Sequence, residues 1–195
     1  QALTIGLVWD ITPTAAQYSP GDQLPATFDF TLAQAFITSL RVGTTDEVAS
    51  ALSIDTGLFK PNQFGVFLAN HDMNRVRSQL AGNIDKAKMG AVLLLTAPGV
   101  PFIYYGEEIG MLGKKPDESI RTPMQWSADK NGGFTTGTPW ESVNPDYPDM
   151  NVSSELADPN SLLTLDRTLI QLRKQHAALR VGDFHLDKSD NEAVF

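Results

Sequence analysis

Cysteine is absent from the 195 residues, which excludes disulfides and thiolate metal sites. Histidine is scarce. The three present, His71, His176 and His185, lie too far apart for a local zinc-binding pattern. Positive charge is in deficit: 15 Lys and Arg stand against 23 Asp and Glu, for a net charge of −8. Such an acidic surface repels phosphate backbones, so no nucleic-acid partner is expected. Long apolar runs are also missing, so no membrane span is expected. The first residues, Gln1 to Ile5, carry no basic region, no cleavage pattern and no initiator Met. The chain is therefore expected to begin inside a longer protein. No internal repeat or low-complexity tract breaks the pattern.

What remains is globular: 42% hydrophobic and 19% charged residues. The length suits one domain, or one domain and a fragment. Strand, loop and helix recur along it. Leu3 to Trp9, Ala26 to Phe30, Gly65 to Ala69 and Pro101 to Tyr105 read as short buried strands. Helices are expected at Thr31 to Leu40, at Thr45 to Leu52 behind a Thr44–Glu47 capping box, and at Lys86 to Thr96 behind Asp85. A Gly-, Pro- and Asn-rich stretch from Ile109 to about Asn160 is too long to be a mere connection. Ser161 opens a last amphipathic helix, Leu162 to about Leu179, with a stripe of Leu162, Leu165, Leu169, Leu172 and Leu179. Val181 to Leu186 and Ala193 to Phe195 read as further strands. Alternation of this kind points to α/β architecture, a parallel sheet with helices outside it. A closed barrel needs eight such units and about 250 residues; this chain supplies four.

The sharpest local feature is Phe67-Leu68-Ala69-Asn70-His71-Asp72. An apolar strand runs directly into an amide, an imidazole and a carboxylate. In parallel α/β folds the carboxyl ends of strands line the binding site. A carboxylate there accepts hydrogen bonds from adjacent sugar hydroxyls, and its charge favours a developing oxocarbenium ion. The same three residues equally suit a cap for the following helix, and local sequence leaves both readings standing.

The run FLANHDMNR resembles the FLxNHDxxR region of glycoside hydrolase family 13, the α-amylase family. Ala97 to Met111 (APGVPFIYYGEEIGM) looks like the family's last barrel strand and its loop. Lys115-Pro116-Asp117-Glu118 and Ile120 to Trp126 (IRTPMQW) resemble the loop beyond it, and Asp158 to Leu163 with Leu169 to Arg173 look like the last barrel helix. The resemblance covers nearly the whole chain. It implies the C-terminal half of a (β/α)8 TIM barrel, strands five to eight, over residues 1–180, with the start of a C-terminal β-sandwich at 181–195. It implies that Asp72 is the family's third catalytic carboxylate, that His71 contacts the same sugar, and that Asn70 and Arg75 position the loop. Arg121, in the long loop with Gln125 and Trp126, is expected to add an outer sugar contact, with loop packing as the other reading. Substrate would be an α-glucan or maltooligosaccharide, cleaved with retention.

The nucleophile motif of such an enzyme is not present in this sequence. Its general acid is expected on the first strand, where the chain reads Gly6-Leu7-Val8-Trp9-Asp10. Leu7 stands where the resemblance expects glutamate, and an alkyl group cannot protonate a glycosidic oxygen. Asp10, three residues along, lies about 10 Å away in a strand. This polypeptide by itself is thus expected to be inactive, and to self-associate through open barrel edges. A trehalose synthase or α-glucosidase of the same family, or a non-catalytic relative used for binding or assembly, are the alternatives. Glu107 and Glu108 are expected to shape the site rather than react. Trp126 and Trp140 are expected to pack the long loop, with sugar stacking as the other reading. Asp117, Glu118, Asp129, Asp146 and Asp149 lack EF-hand spacing and read as solvated acids. No cofactor is expected; calcium, common in the family, is expected upstream of this segment.

Overall fold

The computed structural model describes residues 4–20 and 23–187. Its chain divides into two compact units. The first comprises Gln1–Leu68, Leu93–Phe102 and Gln171–Phe195; the second comprises Ala69–Val92 and Ile103–Ile170.

The first unit holds a parallel sheet. Helix α1 (Thr12–Ala16) precedes strand β1 (Thr27–Phe28), and helices α2 (Phe30–Val42) and α3 (Asp46–Leu58) lead to strand β2 (Phe64–Val66). Helices α4 (Val76–Gln79) and α5 (Ile84–Thr96) lie between β2 and strand β3 (Val100–Pro101). The order is β1-β2-β3, and Gly6 adds a parallel bridge to Thr27 on the β1 side. Neighbours in the sheet are thus neighbours in the chain. That winding runs in one sense, as in a barrel; a doubly wound sheet reverses.

Close packing fixes the composition of these strands. A Cβ on Gly65 would lie 2.7 Å from Ile5 Cδ1 and 2.9 Å from Phe28 Cδ1, so a larger residue there would have to displace both side chains. Phe28 meets Phe67 and Phe102 edge-on at 5.5 and 4.7 Å, and Trp9 stacks on Phe30 at 4.6 Å. Helix α2 begins where Asp29 Oδ1 accepts from the Leu32 amide at 2.8 Å, and ends at Gly43 with φ 88°.

Two polar groups are unusual in this unit. Asp29 and Asp55 are both wholly buried. Thr12 Oγ1 donates to Asp29 Oδ2 at 2.9 Å, whereas neither Asp55 oxygen meets a donor among the described residues. Burial, then the nearby Asp29, push the Asp55 carboxyl up to about 9. The Arg173 guanidinium, also buried, donates to the carbonyls of Leu95, Ala97 and Gly99 at 3.0, 2.9 and 2.5 Å. It satisfies the carbonyl end of α5, where a cation is favoured.

The second unit is mostly irregular backbone with short helices: α4, α6 (Asp117–Ile120), a 3₁₀ turn (Lys130–Gly133) and α7 (Val152–Ala157). Its apolar centre is Ile109, Met111 and Met124, with Val152 and Leu163 against them. Buried Gln125 donates from Nε2 to Met150 O, and Asn151 caps α7 by a reciprocal box with Ser154. Helix α8 (Leu162–Gln175) spans both units and is followed by α9 (Ala178–Val181).

Several expectations change. The ladders are shorter than the apolar runs, because Phe30 already starts a helix and the residues after Val66 turn into the loop. Helix α3 has Thr45 at its N-cap position without a side-chain cap hydrogen bond, and the Thr44 hydroxyl donates to the Glu47 carboxylate at 3.2 Å instead of closing a capping box. Asn83, not Asp85, caps α5: its Oδ1 accepts from the Lys86 amide at 3.0 Å. Val181 to Leu186 is not a strand; Val181 ends α9 and residues 182–187 have no regular structure. Ala193 to Phe195 lies outside the described residues. Among the described residues no helix is long and apolar enough to cross a membrane.

Candidate active site

The loop after Leu68 folds on its own polar groups. Asn70 Oδ1 accepts from the Asp72 amide at 2.9 Å, and Asn70 O accepts from the Met73 amide at 3.2 Å. This Asx turn throws the side chains of residues 71 and 72 outward. His71 Nε2 lies 3.2 Å from Asp72 Oδ2. From the other side Arg121 Nη2 meets Asp72 Oδ1 at 2.8 Å, and Arg121 Nε donates to His71 O at 2.8 Å. Arg121 Nη2 also meets Asp117 Oδ2 at 2.8 Å. Lys115 Nζ pairs with the other Asp117 oxygen, and these cations hold the Asp117 carboxyl below the usual carboxylate range. All these groups are partly exposed, so the pairs contribute orientation more than stability.

Beneath the loop sits Arg75, 2% exposed. Its amide donates to Gly113 O at 3.0 Å and its Nη1 to Tyr105 O at 2.7 Å. The guanidinium carbon lies 4.9 Å from the Tyr104 ring centre and 4.7 Å from that of Tyr105, a cation–π arrangement. Arg75 Nε and Nη2 meet no acceptor among the described residues. So Arg75 supports the loop from within and does not face solvent. The Tyr104 hydroxyl donates to Ile120 O at 3.2 Å and the Tyr105 hydroxyl to Thr122 O at 2.8 Å. These carbonyls flank Arg121. Burial pushes the Tyr104 hydroxyl up to about 12.

Glu107 and Glu108 each bury a carboxylate oxygen without a donor among the described residues, as does Asp166. Burial and mutual repulsion push Glu107 well up; burial also raises Glu108, and it brings Asp166, with repulsion from Glu108 and Glu155, to about 7. They form a buried acidic group rather than a solvent-facing one.

The structure thus brings together Asn70, His71, Asp72 and Arg121 on one surface and places Arg75 under it. Sequence reasoning missed three contributors. Asp117, read as a solvated acid, grips Arg121 across one turn; the i, i+4 spacing carried that signal. Tyr104 and Tyr105 had no signal beyond being aromatic. Asp10 is engaged locally, its Oδ1 accepting from the Ile11 amide at 2.7 Å. Leu7 is 55% exposed. Trp126 and Trp140, expected to be packed in the loop, are 50% and 61% exposed. The Trp126 backbone is tied down, its N donating to Gly132 O at 2.7 Å and its O accepting from the Ser153 amide at 3.1 Å. Among the described residues no three His, Asp or Glu side chains converge as metal ligands.

Residues 1–182 match the model of the alpha amylase catalytic domain. The chain is 34% identical over 194 residues to Alpha-amylase 3 of Dictyoglomus thermophilum, a match covering 97% of this chain and 38% of that protein. It is 37% identical over 166 residues to an oligo-1,6-glucosidase of Halalkalibacterium halodurans, covering 65% of this chain and 30% of that one. The crystal structure of an alpha-amylase from H. orenii matches with a TM-score of 0.82 at 31% identity, covering 98% of this chain and 40% of that chain. This chain therefore spans well under half the length of these relatives. Parallel strands wound in one sense, the FLANHDMNR loop and the match over residues 1–182 agree: the chain belongs to the α-amylase family, glycoside hydrolase family 13, and represents part of its α/β-barrel catalytic domain.

Proposed function

We propose that this chain is the C-terminal half of the catalytic barrel of a retaining α-glucan hydrolase, with residues 181–195 opening a β domain. Asp72 grips the sugar at the cleavage position and stabilises positive charge at its anomeric carbon. His71 donates to the same sugar, Asn70 sets the loop, Arg75 supports it and Arg121 borders it. The observation that carries this reading is Asp72 on a partly exposed surface, one oxygen held by Arg121 at 2.8 Å and the other 3.2 Å from His71 Nε2. A carboxylate so oriented accepts hydroxyl hydrogen bonds without reorganising. Retention requires a nucleophile and an acid about 5 Å apart; this sequence contains no nucleophile motif, and Leu7 stands where the acid is expected. No cofactor is assigned to this segment; any calcium belongs upstream. The preferred substrate is starch or maltooligosaccharide with α-1,4 bonds, on the likeness of the Lys115-Pro116-Asp117 loop to α-amylases. Taken alone, the polypeptide self-associates through its open sheet edges.

Leu7 favours a second reading. If it holds the general-acid position, the parent protein binds glucan without cleaving it efficiently. A third reading, a trehalose synthase or α-glucosidase, shares the Asp72 chemistry. One experiment separates them. The full-length protein is titrated with maltotriose by calorimetry, alongside Asp72→Asn, and its products from maltose are identified. Binding lost in Asp72→Asn supports the site. Glucose as product supports a hydrolase, trehalose an isomerase, and no product the binding protein. Equal binding by both proteins overturns the role of Asp72.

A further inference from the structure

Arg121 is the hinge of the site described above, yet it sits on irregular backbone just past a four-residue helix. Its one local anchor is a long bond from its amide to Glu118 O at 3.3 Å. The carbonyls on either side of it are held by two hydroxyls from one tyrosine pair. Tyr104 donates to the carbonyl before Arg121 and Tyr105 to the carbonyl after it. The two rings contact each other at 4.8 Å, edge to face, and both lie against the buried Arg75 guanidinium. Arg75 in turn is tied to Tyr105 O and, through its amide, to Gly113 O. A continuous chain of contacts therefore runs from Arg75 through the tyrosines to the backbone around Arg121. It ends at the Arg121 side chain, which meets Asp72, Asp117 and His71 O.

We infer that Tyr104 and Tyr105 are positioning residues for Asp72, acting through the backbone on either side of Arg121. This rests on the sugar-binding reading of Asp72. The reason is geometric. Arg121 splits one nitrogen between two carboxylates, so a small shift of its Cα sacrifices one pair for the other. If it moves toward Asp117, Asp72 loses its partner at 2.8 Å and rotates freely against His71 alone. Two hydroxyl anchors remove that freedom. A phenyl ring preserves the stacking on Arg75 and deletes only the anchors.

The test is a double-mutant cycle on maltotriose affinity in the full-length protein, measured by calorimetry, with thermal unfolding in parallel. Tyr105→Phe and Tyr104→Phe should each weaken binding by about fivefold, the scale of one hydrogen bond. In an Arg121→Ala background, Tyr105→Phe should change affinity by less than about twofold, because the group it positions is gone. Its effect on the unfolding midpoint should be the same in both backgrounds. A merely structural tyrosine would instead weaken binding equally with and without Arg121, and that result overturns the inference. So does full affinity in the Tyr104→Phe, Tyr105→Phe double variant. Asp72→Asn serves as the separate control: if it binds as tightly as the unchanged protein, the sugar-binding reading itself fails.

Discussion

Arg121 shares a single nitrogen between Asp72 and Asp117 while its Nε reaches a backbone carbonyl. That use of a planar fork cannot be copied by a lysine, whose ammonium is a point charge. We predict that Arg121→Lys weakens maltotriose binding about tenfold, while stability changes by less than about 1 kcal/mol because the pairs are exposed. Calorimetric titration and thermal unfolding check the two halves. Arg75 behaves oppositely. It is buried between two rings, so Arg75→Ala removes a charge–ring contact and opens a cavity. A loss of about 3 kcal/mol in urea unfolding is expected. At this scale the sequence was informative about Asn70, His71 and Asp72, because polar residues follow an apolar strand there. It was silent about Tyr104 and Tyr105, whose importance comes from which carbonyls their hydroxyls reach. It misplaced Trp126 and Trp140, since an aromatic residue in a loop carries no sign of whether its ring turns inward.

Among the elements, α2 and α3 share the buried pair Asp29 and Asp55. The Asp55 carboxyl is raised from 3.8 to about 9 in the folded chain. Below about pH 4 both folded and unfolded chains hold this proton. Between about pH 4 and pH 9 the unfolded chain has released it and the folded chain has not. The folded state then binds more protons, so stability falls as pH rises, by up to about 1.4 kcal/mol per unit for one proton. Asp55→Asn replaces the neutral acid by a neutral amide. It should flatten the decline and stabilise the chain at about pH 8. Urea unfolding across the pH range tests this, and an unchanged slope would refute it. Asp166, raised to about 7, adds a decline of the same sign over a narrower window. Helix α8 shows why pattern reading stops short. Its most buried positions are Leu162, Asp166, Leu169 and Arg173. Two of those four are ionisable and look like surface residues in a leucine stripe. Arg173 is buried because the carbonyls ending α5 need donors. Arg173→Met should therefore cost about 3 kcal/mol by leaving those carbonyls unpaired.

For the molecule as a whole, order of elements was legible and their lengths were not. Strand, helix and strand alternate as the apolar runs imply, but sheet pairing covers only one or two residues of each run: Gly6 in the first, Thr27 and Phe28 in the second, Gly65 and Val66 in the third, Pro101 in the fourth. Apolarity marks burial, whereas a ladder also needs a neighbour in register. On the proposed reading Asp72 is neither the nucleophile nor the acid that retention requires, so the isolated 195-residue polypeptide should release no measurable product from a chromogenic maltoside. A spectrophotometric assay settles that. The most direct measurement concerns His71 and Asp72 themselves: an NMR titration of the full-length protein, selectively labelled at histidine, with maltotriose. The ring signals of His71 should move with saturation, those of His176 and His185 should stay, and Asp72→Asn should abolish the movement. A saturable response at His176 or His185 with His71 unmoved would place the sugar elsewhere and contradict the proposed site.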